Sequence, residues 1–456
     1  MLNGRAKEPR SIQGSFGDRL TAAWSRTDEI FDVVASNRLL EQPIVWRHPI
    51  IFYLGHLPAF AWNQICAGVF RRQSFHPAFD EIFARGIDPD VDTGACHDHP
   101  QVPAQWPAAA EVFEYRDRVR ASVLECCGNA REFASRREVP RVFSLVLEHE
   151  LMHQEALLYM LQELAVEIKG RPRGLPSYRF DEESASRRVE VHAGPALLGA
   201  DPAALEFGWD NEFGAASVEV AAFHVDSLPV TNGRFLEFIE CGGYDNRSLW
   251  TPSEWAWKVR SGLRHPPAWS KRGNEWRYRT MFDVLPLQEV LSWPVYVSLA
   301  EARAYARWSG SRLLSEAEFH RAAYTAPDGY APRMQAETVR AENLDFANWS
   351  AVPATPRFSE ANPWGIYQLV GNGWEWTDTP FAPFDGFQPL DVYPEYSADF
   401  FDGKHFVLKG ASWATASSLV RPSFRNWYQA HYPYVFAKFR CVSSVDPPST
   451  PHRKSL

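Results

Sequence analysis

The sequence predicts two units of different class: a four-helix bundle over residues 1–180, then an α+β unit with much irregular structure over 181–456. Three observations carry that expectation. Between Phe16 and Glu167 apolar residues recur at helical spacing, most plainly from Val142 to Leu164, where no Pro or Gly intervenes. Gly170-Arg-Pro-Arg-Gly-Leu-Pro176 then breaks the pattern. Beyond Val189 short β-like runs alternate with Gly, Pro and aromatic residues. The 18 Trp and 34 Pro fit a region in which rings supply the packing that regular elements lack.

In chain order, a first helix is expected from Phe16 through Ala35. A second begins near Pro49, since proline suits the first helical position. Its continuation, Ile50 to Phe70, is the most apolar stretch, but it holds His56, Pro58, Asn63 and Gln64. Those would be costly in lipid, so it reads as a buried bundle helix. The segment from Arg85 to Pro107 reads as a long loop, punctuated by Gly86, Pro89, Gly94, Pro100, Pro103 and Pro107. Ala108 to Cys126 and Val139 to Ile168 complete the bundle. The acidic and basic residues from Asp181 to Arg188 read as a linker. In the second unit Val189 to Val191, Val218 to Val225 and Val295 to Val297 are expected as strands. Leu299 to Ser309 and Ser315 to Ala323 are expected as helices. There is no internal repeat.

The formal charge of −9 argues against a nucleic-acid partner, which needs clustered Lys and Arg. The six cysteines form no Cys-x-x-Cys pair and read as free thiols of a reducing compartment. Residues 1–16 are polar, without a signal peptide's apolar core, so a cytoplasmic protein with no membrane partner is expected. Nothing in the pattern specifies an oligomer.

The strongest local signal is His149-Glu-Leu-Met-His153-Gln-Glu155. In a helix, residues four apart sit on one face with Cβ atoms about 5–6 Å apart, so two imidazoles can share a metal ion. Glu155 is rotated about 200° from His153 and faces elsewhere. A third ligand is available in His56, within Phe52-Tyr-Leu-Gly-His-Leu-Pro-Ala-Phe60, because facing helices supply ligands to one site in metal bundles. His48, just before Pro49, competes with it. Three imidazoles suit Zn with water or Fe(II) with O2, and ligand type leaves both open. His-Glu-x-x-His is also the zinc metallopeptidase signature, with Glu150 as base and Glu163 or Glu167 as third ligand. A non-catalytic binding module is the remaining class.

The second unit carries Phe223-His-Val-Asp-Ser-Leu-Pro-Val-Thr-Asn232, Trp293-Pro-Val, Arg312-Leu-Leu-Ser-Glu-Ala-Glu-Phe319, Leu369-Val-Gly-Asn-Gly-Trp-Glu-Trp-Thr377 and Lys409-Gly-Ala-Ser-Trp413. These phrases resemble the formylglycine-generating-enzyme (sulfatase-modifying) fold, which is related to the C-type-lectin-like α+β domain. That enzyme uses paired cysteines in its last strands; Ala411 to Phe439 has none, and only Cys441 remains, so formylglycine generation is not expected. A DinB-like bundle with His56 and a His-x-x-x-His-x-Glu motif, joined to this fold, resembles the ergothioneine-type sulfoxide synthases. The resemblance implies a non-heme Fe(II) on His56, His149 and His153. It also implies O2 as co-substrate and carbon–chalcogen bond formation at C2 of the imidazole of hercynine (Nα-trimethylhistidine). Position by position, it makes Tyr393 the catalytic tyrosine and Asn426 and Trp427 the hercynine-binding pair.

Departures from the family concern the donor. Members using γ-glutamylcysteine carry an Asp after the Asn-Trp pair and an Arg four residues later; here Tyr428 and Tyr432 stand there. The family's Arg residues before the third helix are absent too, and that loop reads Ala95-Cys-His-Asp-His-Pro-Gln101. Met152 replaces a polar residue that contacts the imidazole in relatives. A carboxylate-rich thiol needs Arg forks. A wall of Tyr428, Tyr432, His and amide groups therefore favours the selenoneine-synthase branch with a selenosugar donor over a thiol such as cysteine or γ-glutamylcysteine.

Overall fold

The structure is a computed structural model that describes residues 14–84, 86, 103–129, 138–327 and 343–445. The loop 95–101 lies outside these. Helix α1 (Phe16–Phe31) starts at a Ser15–Asp18 capping box and ends four residues earlier than Ala35. After Asp32 the chain turns at Val33, and Val34 makes an isolated bridge to Lys169. Helix α2 (Ile50–Ala61) is buried along its whole length, as an all-round apolar helix must be. Pro49 is its N-cap residue, not its first helical residue. Pro58 withholds one amide from the helical ladder, and the chain continues from α2 as a π-helix, Trp62–Val69.

A short helix unmarked by periodicity, α3 (Pro77–Ile82), follows. It is tied to α4 (Ala109–Asn129) by Tyr115, whose hydroxyl donates to Asp80 Oδ1 at 2.6 Å. Helix α5 (Glu138–Glu163) gives way to a 3₁₀ turn at Val166–Ile168, so it ends earlier than its apolar pattern suggests. Helices α1, α2, α4 and α5 form the expected bundle. Among the described residues no helix is long and apolar enough to cross a membrane.

The expected linker is extended and docked: Trp293 Nε1 donates to the Arg179 carbonyl at 2.9 Å and Ser292 Oγ to the Asp181 carbonyl at 2.9 Å. Four strands follow: β1 (Arg188–Val191), β2 (Gly194–Leu198), β3 (Ala216–Val220) and β4 (Phe223–Asp226). The run from Val218 to Val225 is thus two strands. Helices α6 (Asn232–Glu240) and α7 (Pro252–Arg260) start at the N-caps Thr231 and Thr251. They precede the hairpins of β5 (Trp269–Arg272), β6 (Glu275–Arg279) and β7 (Val284–Pro286). Val295 to Val297 is not a strand. Beside Pro294, which has no amide hydrogen, it makes single bonds to Val230 and Ala437 instead of a ladder. The two expected helices form as α8 (Leu299–Trp308) and α9 (Glu316–Tyr324), flanking β8 (Arg312–Leu313).

The last strands are β9 (Gly373–Pro380), β10 (His405–Ala411), β11 (Asn426–Gln429), β12 (Ala437–Lys438) and β13 (Cys441–Ser444). One sheet has the order β1-β4-β13-β8 and a second the order β11-β10-β9-β12. The second sheet contacts the bundle through Trp374 of β9, which bonds Glu155 of α5, and β11 carries Asn426, Trp427 and Tyr428.

Candidate metal centre

Helix α5 divides its side chains among three neighbours, as 100° per residue requires. Glu148 and Glu155, seven apart, fall within about 20° of each other. Both are held by the second unit. Glu148 accepts from Arg421 Nη1 and Nη2 at 2.8 and 2.9 Å and from Trp209 Nε1 at 2.8 Å. Glu155 accepts from Trp374 Nε1 at 2.7 Å, Ser412 Oγ at 2.5 Å and Thr415 Oγ1 at 2.7 Å. A second face meets α1, where Thr27 Oγ1 donates to Glu150 at 2.6 Å and Gln154 Nε2 donates to the Ala23 carbonyl at 2.9 Å. Between them, His149 and His153 face α2.

There they meet His56. The three side chains form the one group of three metal-ligating residues found among the described residues, their ligand atoms all within 4.8 Å of one another. His56 Nδ1 lies 2.7 Å from the Phe83 carbonyl, which can only accept, so Nδ1 carries the proton and Nε2 keeps its lone pair. His149 Nε2 and His153 Nδ1 are buried without a hydrogen-bond partner. Burial drives the imidazoles toward the neutral, ligating form: His56 is lowered to about 4, and His149 and His153 well below the ordinary histidine value. Phe60 stacks on His149 at 3.6 Å and Phe52 on His56 at 5.0 Å, which fixes both rings. Three neutral imidazoles from two helices, two of them with buried unpartnered nitrogens, fit a divalent metal with open positions.

The competing residues are engaged elsewhere. His48 packs against Phe52 and Trp106, outside the cluster. Glu150, the base of the peptidase reading, faces α1. Of its candidate third ligands, Glu163 is paired with Arg279 at 2.7 Å and Glu167 is solvent-exposed.

Two of the three histidines, His56 and His153, line a cavity of about 230 Å³ built from both units. His56, His153, Tyr393, Asn426, Trp427 and Tyr428 all line it. The Tyr393 ring is 5.4 Å from Phe60 and 6.5 Å from His149, centroid to centroid. Asn426 Oδ1 accepts from the Trp427 amide at 2.9 Å, which turns its NH2 outward as a donor. Trp427 stacks on Phe381 at 4.3 Å, with Tyr396 and Phe400 at 5.2 and 5.7 Å. Tyr432 is not on the lining: it stacks behind Tyr428 at 5.1 Å.

Several lining residues lie outside the motifs. Tyr396, three residues after Tyr393, donates to Met152 Sδ at 3.4 Å and stacks on Trp209 at 3.9 Å. Tyr159 and Arg47 close another side. Arg47 sits in the aperiodic segment before α2, and only its closeness to His48-Pro49 could have drawn notice.

Comparison with known proteins places the chain in a family. Residues 19–157 match the DinB superfamily, and residues 176–445, more than half the chain, match the sulfatase-modifying factor enzyme 1-like domain. A hercynine oxygenase of Mycolicibacterium thermoresistibile is 34% identical over 380 residues, covering 81% of each chain. The chain belongs to the ergothioneine-type sulfoxide synthase family. Within that family, the hercynine oxygenase of Mycobacterium tuberculosis is 35% identical, covering 76% of this chain and 80% of its own. Ergothioneine biosynthesis protein 1 of Neurospora crassa is 30% identical over 94% of this chain, which spans 57% of that relative's length.

Proposed function

We propose that the cavity binds Fe(II) on His56, His149 and His153 and joins C2 of the hercynine imidazole to a chalcogen donor at the expense of O2. The favoured donor is a selenosugar, which would make the product a selenoneine precursor. The observation that carries this reading is a neutral three-histidine cluster, two of whose members, His56 and His153, line an aromatic cavity. Residues 1–180 would supply the metal and 181–456 the substrate contacts.

In the overall reaction the imidazole loses its C2 hydrogen and the donor its S–H or Se–H hydrogen. One oxygen atom leaves as water and the other stays on the chalcogen, so the four electrons taken by O2 are accounted for. Fe(II) supplies the one-electron chemistry with O2 when bound. The chain's own groups orient the rest. Trp427, Tyr396 and Phe400 present ring faces and edges to the trimethylammonium, each cation–π contact being worth about 2 kcal/mol when desolvated. The outward NH2 of Asn426 donates to the substrate carboxylate. Tyr393 donates a proton at the metal side of the cavity.

Support for an uncharged, hydroxyl-rich donor body comes from the phenols of Tyr159 and Tyr428 on the lining. A donor with two carboxylates would need more cations than the described residues place on this side. A thiol such as cysteine or γ-glutamylcysteine remains the alternative, favoured by the names of the relatives, hercynine oxygenase and ergothioneine biosynthesis protein 1.

The test is a donor competition. Anaerobically purified protein should take up about one Fe(II) and consume O2 only with hercynine and a donor together. A selenosugar should outcompete cysteine and γ-glutamylcysteine by mass analysis of products. Full iron and activity in His149→Ala would overturn the metal assignment, and a thiol product in the competition would move the protein to the sulfur branch.

A further inference from the structure

Tyr393, Tyr396 and Phe400 reach the cavity from one segment that is mostly at the surface. Of residues 391–400, Ser397 alone is buried. The segment's own backbone bonds close single turns: the Tyr393 amide to the Leu390 carbonyl at 3.1 Å, Tyr396 to Tyr393 at 3.3 Å and Phe400 to Ser397 at 3.0 Å. Gln64 Nε2 adds a tie to the Val392 carbonyl at 3.0 Å, on the exposed side. Ser397 stands at the N-cap of a short 3₁₀ turn, Ala398–Phe400, yet its hydroxyl does not cap that turn. It donates to Asp210 Oδ1 instead and accepts from Asn211 Nδ2 at 2.9 Å. A serine hydroxyl diverted from its local amides to a carboxylate 187 residues away is a long-range anchor. Asp210 is buried and also faces the Leu390 and Asn211 amides, so one carboxylate meets both ends of the stretch from Leu390 to Ser397.

The neighbours of Asp210 tie this anchor to α5. Trp209 stacks on Tyr396 at 3.9 Å while its Nε1 donates to Glu148 at 2.8 Å, and Glu212 shares Arg421 with Glu148. Glu148 directly precedes His149, so the stretch from Trp209 to Glu212 holds the tyrosine segment on one side and the histidine helix on the other. A proton passes between groups only within about 2.6–3.2 Å, so a donor on an exposed segment needs a fixed reference of this kind. We infer that Asp210 is a positioning residue: through Ser397 it holds the side chains of Tyr393 and Tyr396 against the histidine cluster. The inference rests on the carbon–chalcogen synthase reading above, which gives Tyr393 its role.

Hydrogen–deuterium exchange of the iron-loaded, anaerobic protein reads the anchor directly. Asp210→Ala removes a buried charged acceptor and should speed exchange in peptides covering residues 390–400 by about tenfold or more, while exchange in α5 stays within about twofold and iron content is native. Asp210→Asn, whose amide oxygen can still accept from Ser397, should recover most of the protection. In turnover, Asp210→Ala should divert products toward donor oxidation as Tyr393→Phe does, and the double variant should divert them no further, because both changes act through one hydroxyl. Native exchange at 390–400 in Asp210→Ala, an equal rise along α5, or an additive diversion in the double variant overturns the inference. Should Asp210→Ala fail to fold, Ser397→Ala decides by the same measurement: a rise confined to 390–400 supports the anchor, and native exchange overturns it. A wild type that forms no carbon–chalcogen product sinks the synthase reading and leaves the exchange result to decide the anchor. Product formation with native exchange in Asp210→Ala sinks the anchor alone.

Discussion

Gly55, one residue before His56, is where a single methyl group should reach the metal. A Cβ built at Gly55 would lie 2.6 Å from three ring carbons of Phe83. Ordinary contact begins near 3.4 Å, so the ring must retreat by about 0.8 Å. Phe83 is fully buried, packed between α2, α3 and Trp106, and has no open side to move into. The backbone of Phe83 therefore moves with its ring, and its carbonyl holds the His56 Nδ1 proton at 2.7 Å. That bond stretches beyond about 3.2 Å, where it is weak. Loss of such an orienting bond costs about 10–100-fold in metal affinity. Overpacking costs a further 1–3 kcal/mol or so of stability, against roughly 1 kcal/mol gained by replacing a helical glycine. Gly55→Ala should thus bind Fe(II), or Co(II) as a spectroscopic probe, 10–100-fold more weakly in chelator competition. Its far-UV circular dichroism should stay native. Native affinity in a folded Gly55→Ala protein would refute the claim that the Phe83 carbonyl sets the His56 ring.

Tyr393→Phe should keep its iron and divert turnover toward oxidation of the donor; unchanged product ratios would contradict a proton-donating role. Arg421→Ala leaves Glu148 and Glu212 buried together without their shared cation and should cost about 3–5 kcal/mol in denaturant unfolding, with Glu212→Gln in that background regaining part of it. Acid should destabilise metal-free protein through His56. The unfolded chain takes the proton below the ordinary 6.5 while the folded one resists until about 4, so stability is lost as pH falls between those values, by about 3 kcal/mol at the acid end. Buried Glu150 and Glu155, raised by burial, oppose this, so the comparison is with His56→Gln, which should lose correspondingly less; parallel pH profiles would count against it.

The part of the site that follows a local period was legible in the sequence. The 3.6-residue repeat put His149 and His153 on one face and turned Glu155 away, and the structure gives Glu155 three donors from the second unit. What depends on distant pairing was not legible. The order β11-β10-β9-β12 brings Trp374 and Trp427, 53 residues apart in sequence, onto one sheet, and no pattern within either phrase specifies it. Arg47 escaped for a related reason: it belongs to no periodic element, and its place is fixed by Tyr432, 385 residues away. Tyr432 was singled out in the sequence, but as a substrate contact; it serves as the tether behind Tyr428. The expected strand at Val295 to Val297 failed where composition outweighed the ladder chemistry that Pro294 denies.

Glu148 and Glu155 bracket the histidine pair on α5, and their partners come from well-separated parts of the second unit. Arg421 and Trp209 hold one carboxylate; β9, through Trp374, and the turn after β10, through Ser412 and Thr415, hold the other. A helix clamped at two points seven residues apart can neither slide along nor rotate about its axis without breaking one set of bonds. The same sheet carries Asn426, Trp427 and Tyr428 on β11, paired to β10 through Leu408, Val407 and Phe406. The separation between histidine triad and aromatic cage is therefore set by a continuous path: β11 to β10 by ladder bonds, β10 to β9 by ladder bonds, and β9 to α5 by the Trp374–Glu155 bond. This explains why a carboxylate that faces away from the histidine cluster sits two residues from His153. Glu155 sets where the histidine cluster lies relative to the β11 side chains, and α2 and α5 set only how the three histidines lie relative to one another.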